Sequence, residues 1–165
     1  MTDPTLTPAR LWKRMTGEQR LRAAQALWNA TEARKEQVQA AGVIAQQVKF
    51  RPKTVAGLDN DRKARYLASI ATLPDDLAAR LLVLYHLAEQ KPMMSAFLDA
   101  IGLAHEDGLI KEDAAAPDPA RVAGAATSIA QSYPAQDVAI YLNTLLWQDP
   151  GAWGVLADIP ESRLA

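Results

Sequence analysis

The sequence predicts an all-α protein: a single compact helical domain of about seven or eight helices with a long N-terminal helix. Three observations carry that expectation. Alanine and leucine supply 32 and 20 of the 165 residues, against 8 valines and 7 isoleucines. The first pair favours helix and the second favours strand. Apolar residues make up 49% of the chain, enough to build a core at this length without staples. They also recur at helical spacing between proline and glycine signals.

Thr16-Gly17-Glu18-Gln19 reads as a capping box, the Thr16 hydroxyl taking an orphan amide and Gln19 reaching back. No proline interrupts the chain from there to Val48, so one long or kinked helix of ~45 Å is expected. Its apolar stripe is thin: Leu21, Ala24 and Trp28, then Val38, Ala41, Ala45 and Val48. Asn29-Ala30-Thr31 is the place where it would break into two. Phe50-Arg51-Pro52 ends it, because the residue before proline is driven out of the helical region. A short helical turn near Pro52–Ala56 and a helix from Asp59 to Ala71 follow.

Leu73-Pro74-Asp75-Asp76 opens the next helix with a proline and two acids, suited to the positive end of the dipole. That helix, to about Gln90, carries Leu77, Leu81, Leu84 and Leu87, with Leu82, Val83 and Tyr85 filling much of the remaining surface. A helix apolar nearly all round is expected at the centre of a fold. Lys91-Pro92 restarts the chain into Met93, Met94, Phe97, Leu98 and Ile101, core residues by their spacing. Gly102 then supplies a left-handed stop, with Leu103 folding back on Leu98. Helices near Ala120–Gln131, Ala135–Trp147 and Pro150–Ala157 complete the chain. The small residues from Ala123 to Ser128 point to close helix packing.

The domain organisation expected is one unit, 1–165. Within it lie a basic helical arm (1–58), a helical unit (59–102), a linker loop (103–119) and a second helical unit (120–165). Segments 59–102 and 118–160 share a plan of three helices separated by prolines. Ser69-Ile70-Ala71 answers to Ser128-Ile129-Ala130, and Leu82, Leu84 and Leu87 answer to Ile140, Leu142 and Leu145. A duplicated three-helix unit would explain this, and it fits no named repeat array.

The absence of cysteine excludes disulfides, thiolate zinc sites, iron–sulfur clusters and thiol catalysis. No apolar run is long enough to span a bilayer and the first ten residues carry no secretory signal, so a cytoplasmic protein without membrane contact is expected. Nothing resembles a phosphate loop, a dinucleotide fingerprint or a nucleophile elbow. No cofactor and no metal are expected, and no catalytic residue is assigned.

Charge is the unusual feature. The net is −1 over the chain, yet residues 1–66 carry 13 Lys/Arg against 6 Asp/Glu and the remainder 5 against 13. The basic excess is densest at Lys49, Arg51 and Lys53 and at Arg62, Lys63 and Arg65, with Phe50 and Tyr66 among them. Such a cluster can meet an acidic surface of this fold, of a neighbouring copy or of another protein. Alternatively, it can hold phosphates while the rings stack bases. The chemistry of the rest is sparse. His105-Glu106-Asp107 gathers three polar groups before Gly108, either as a solvated loop or as an acid/base or metal site. His86 with Glu89 lies on the apolar helix, in the reverse order to a di-iron Glu-x-x-His motif, and reads first as a hydrogen-bonded histidine at the core edge. The expectation is therefore a non-catalytic protein–protein interaction or scaffolding module, self-associating or not. The alternatives are nucleic-acid binding through 49–65, and an enzyme or ligand binder using His86, His105, Glu106 or Asp107.

Overall fold

The structure, a computed structural model, describes residues 6–164 and is all-α apart from one small hairpin. Ten α-helices occur among the described residues: α1 (Pro8–Arg14), α2 (Gly17–Asn29), α3 (Arg34–Val48), α4 (Pro52–Ala56) and α5 (Asn60–Ser69), then α6 (Asp75–Glu89), α7 (Lys91–Ile101), α8 (Pro119–Ser132), α9 (Ala135–Gln148) and α10 (Pro150–Trp153). Two 3₁₀ turns, Gly154–Asp158 and Pro160–Ser162, follow α10. No helix among the described residues is long and apolar enough to cross a membrane. The chain divides into two compact units, Pro8–Glu89 and residues 90–164 together with 6–7.

In the first unit α2 packs on α5 and α6, α3 on α4 and α5, and α1 on α6. The expected capping box starts α2: Thr16 Oγ1 accepts from Gln19 N at 3.1 Å, and Gln19 Oε1 accepts from Thr16 N at 2.9 Å. The single long N-terminal helix does not form. α2 stops at Asn29 and α3 restarts at Arg34, which, with the unforeseen α1, raises the helix count above seven or eight. The break is held from outside the turn. Gln37 Nε2 donates to the Leu27 and Ala30 carbonyls at 2.9 and 2.8 Å, satisfying acceptors that a continuous helix would have bonded internally.

Restarting also resets the helical phase. Ala40, Ala41, Ile44 and Ala45 face inward, while Val38, expected in the buried stripe, is 65% exposed. α1 brings Trp12 fully into the core, where its indole N–H donates to the Ile70 carbonyl at 2.8 Å. That bond satisfies a polar group whose burial would otherwise be costly.

The second unit is built on α7, α8 and α9. The stop at Gly102 forms as expected, with φ 78° and Leu103 N donating to the Leu98 carbonyl at 3.0 Å. Phe97 lies edge-on to Tyr141 at 5.4 Å and tilted against Trp153 at 5.9 Å. Every residue of α9 from Val138 to Leu146 is buried. The most enclosed helix is therefore α9; on α6 Leu77, Leu81 and Leu82 are buried, whereas Leu84 and Leu87 are half-buried. Asn143 Nδ2 donates to the Ala139 and Ser162 carbonyls, tying the second 3₁₀ turn to α9. Close packing of α8 runs through Ala125 and Ala126, while Gly124 faces open space.

Of the two segments that suggest a duplication, 59–102 contributes α5 and α6 to the first unit and α7 to the second. Segment 118–160 lies wholly in the second. Residues 103–119 also belong to the second unit and hold a hairpin, β1 (His105–Glu106) and β2 (Leu109–Ile110), paired antiparallel. Asp107 and Gly108 form its two-residue turn, both at positive φ (50° and 93°). That is the backbone an Asp-Gly type I′ turn requires.

Candidate interaction surface

The two histidines are wired into the fold. His86 is 3% exposed, and its Nδ1 lies 2.7 Å from the Leu82 carbonyl one turn earlier, placed to donate to it. Its ring packs edge-on to Tyr85. Glu89, one turn further along α6, reaches Arg22 at 3.4 Å. Arg22 also pairs with Glu18, and these two carboxylates raise the guanidinium's pKa above its usual value.

His105 looks closer to a catalytic arrangement, because Asp99 Oδ1 lies 2.7 Å from its Nε2. An aspartate orienting a histidine is half of a triad. The other half is occupied: Gly108 N–H donates to His105 Nδ1 at 3.1 Å, which fixes the proton on Nε2. Neither ring nitrogen is left to face a substrate. The pair Asp99–His105 instead closes the hairpin onto the end of α7, and Gly108 sits so near Met94 that a Cβ there would lie 2.7 Å from Met94 Cβ. Glu106 and Asp107 are exposed. Among the described residues no group of three or more His, Asp or Glu is arranged to hold a metal ion.

Elsewhere, perturbed acidities have local causes. A hydrogen bond from Gln39 holds the Asp76 carboxyl below its ordinary value, helped by the Leu77 amide. Burial pushes the Tyr141 hydroxyl up. In the first unit a shallow depression of about 400 Å³ is lined by Gln47, Val48 and 69–72. Another of about 380 Å³ lies between α2 and α6, floored by Ala26, Leu84 and Leu87.

The basic cluster behaves differently in its two halves. On α5, Arg65 pairs with Asp61 at 2.8 Å, and Arg62 lies 4.0 Å from Asp59. Lys63 is placed over the Trp28 ring, 4.5 Å from its centre, a cation–π contact that directs it back onto α2. Lys49, Arg51 and Lys53 are exposed, and no carboxylate among the described residues pairs with them. Pro52 opens α4 between Arg51 and Lys53, and Lys49 ends α3 in the left-handed conformation at φ 59°. Phe50, 42% exposed, meets Tyr66 of α5 edge-on at 6.2 Å. That ring contact sets Phe50 against α5.

Four residues that sequence reasoning did not select complete the set of exposed features on the hairpin and the turn that follows it. Leu109 and Ile110 are 55% and 38% exposed, and Glu112 and Asp113 follow in an exposed turn closed by Ala114 N donating to the Lys111 carbonyl. The Asp107-Gly108 dipeptide was the available signal, since it marks a hairpin whose strands project side chains on either side of the turn. No protein family, no curated protein and no solved structure is found to be similar to this chain.

Proposed function

We propose that this chain is a non-catalytic protein–protein interaction module whose working surface is the end of α3 and the start of α4, taken up by an acidic protein surface. The observation that carries the reading is the difference in pairing within the basic cluster. Arg62, Lys63 and Arg65 are directed onto Asp59, Trp28 and Asp61, whereas Lys49, Arg51 and Lys53 face outward around a partly exposed Phe50. Recognition surfaces combine such an aromatic anchor with cations at the rim, the ring supplying burial and the charges supplying orientation and encounter rate. The inward wiring of His105 and His86 supports a role without chemistry.

Nucleic-acid binding is the second reading, favoured by the placing of aromatic rings beside cations. Three outward cations would release few counterions, giving a slope of log K against log salt of about −3 on duplex DNA. The Phe50 and Tyr66 rings are also engaged edge-on with each other.

A photo-crosslinking residue at position 50 of the full chain, in cells that produce it, tests the choice. The expected product is a protein adduct that disappears when Lys49→Glu, Arg51→Glu and Lys53→Glu are combined. Tight, salt-sensitive binding of mixed oligonucleotides by the purified wild type would overturn the reading, as would a crosslink indifferent to the reversal.

A further inference from the structure

Charge divides along the same line as the fold. Residues 8–89 hold 14 Lys/Arg against 8 Asp/Glu, and residues 90–164 hold 4 against 10, so the units carry +6 and −6. The division sharpens at two short segments. Residues 49–53 contain three cations and no acid, around Phe50. Residues 105–113 contain Glu106, Asp107, Glu112 and Asp113 against the single Lys111, around Leu109 and Ile110. Of the four large apolar residues exposed among the described residues, three fall in these two segments.

Each surface therefore sets an exposed apolar residue, Phe50 or Leu109, among charges of predominantly one sign, and the predominant signs are opposite. Resting on the interaction reading above, we propose that the partner is a second copy of this chain, whose acidic hairpin seats on the basic surface of the first. Phe50 would cover Leu109, which pairs with Glu106 across the hairpin and shares its face. Lys49, Arg51 and Lys53 would face Glu106, Glu112 and Asp113. The hairpin suits this task because its shape does not depend on the partner. The Asp107-Gly108 turn, the Asp99–His105–Gly108 bonds and the close fit of Gly108 on Met94 hold it in place beforehand. A preorganised element loses little freedom on binding. Patches of this size give a weak, concentration-dependent association, steered by charge and reduced by salt.

Sedimentation equilibrium on the purified full chain tests this with two variants. One combines Lys49→Glu, Arg51→Glu and Lys53→Glu; the other combines Glu106→Lys, Glu112→Lys and Asp113→Lys. Wild-type mass should rise with protein concentration and fall back as salt is added. Each variant alone should stay at the mass of one chain. Their equimolar mixture should associate again, because it retains one unaltered basic surface and one unaltered hairpin. Circular dichroism checks that both variants fold, and Phe50→Ser and Leu109→Ser serve as uncharged substitutes, each weakening the association.

A wild type that remains one chain at every concentration overturns self-association while leaving the acidic-partner reading to the position-50 crosslink. Association that survives both reversals, or a mixture that fails to associate, overturns the seating of hairpin on basic surface.

Discussion

The hairpin at 105–110 and the basic surface at 49–53 were both polar clusters in the sequence, and the fold treats them oppositely. In the hairpin the group with the most evident chemistry, His105, has both ring nitrogens occupied, by Asp99 and by the Gly108 amide. In the basic surface the least specialised groups, two lysines and an arginine, are the ones left facing solvent with no carboxylate among the described residues paired to them. A residue type says what chemistry is available. The partners a fold supplies decide whether that chemistry is spent within the molecule or kept for another one.

The contrast can be broken most severely at Gly108. Its φ of 93° and the 2.7 Å approach to Met94 leave no place for a branched side chain. Gly108→Val should cost about 3 kcal/mol in chemical denaturation. A loss near zero would mean that the hairpin does not rest on α7.

His105→Ala comes next. It strands the Gly108 amide and removes the tether to Asp99, so about 1–2 kcal/mol should be lost and amide exchange should quicken across 106–110. Asp99 is itself 73% exposed, so Asp99→Asn should cost less than His105→Ala. The reverse order would give the carboxylate, not the ring, the structural part. Phe50→Ser removes a half-exposed ring and its edge-on contact with Tyr66, worth about 1 kcal/mol of stability. The smallest effect belongs to Lys49→Glu, Arg51→Glu and Lys53→Glu together, within about 0.5 kcal/mol of wild type with helicity unchanged. A large loss there would show that these cations serve the fold after all.

The same division between local and distant causes runs through the fold. Thr16-Gly17-Glu18-Gln19, Pro52 and Gly102 mark helix ends in the sequence as they do in the structure. Each acts through hydrogen bonds or steric limits spanning only a few residues. Asp107-Gly108 was equally local and equally legible as a turn, though the surrounding acids made a linker the simpler reading. The all-α class followed from composition and spacing, because helix propensity and periodicity act residue by residue along the chain.

The sequence offered Asn29-Ala30-Thr31 as a place to break, but the folded structure decided that the chain does break at 30–33, with Gln37 bonding carbonyls seven and ten positions earlier and Val38 in solvent. It also decided that α9 rather than α6 is the most enclosed helix, and that Lys63 folds back onto Trp28, whereas the Arg62–Asp59 and Arg65–Asp61 pairs span only three and four residues. The reason is the same in each case. A backbone end or a turn is satisfied by its own neighbours, whereas the fate of a side chain depends on which distant surface arrives beside it.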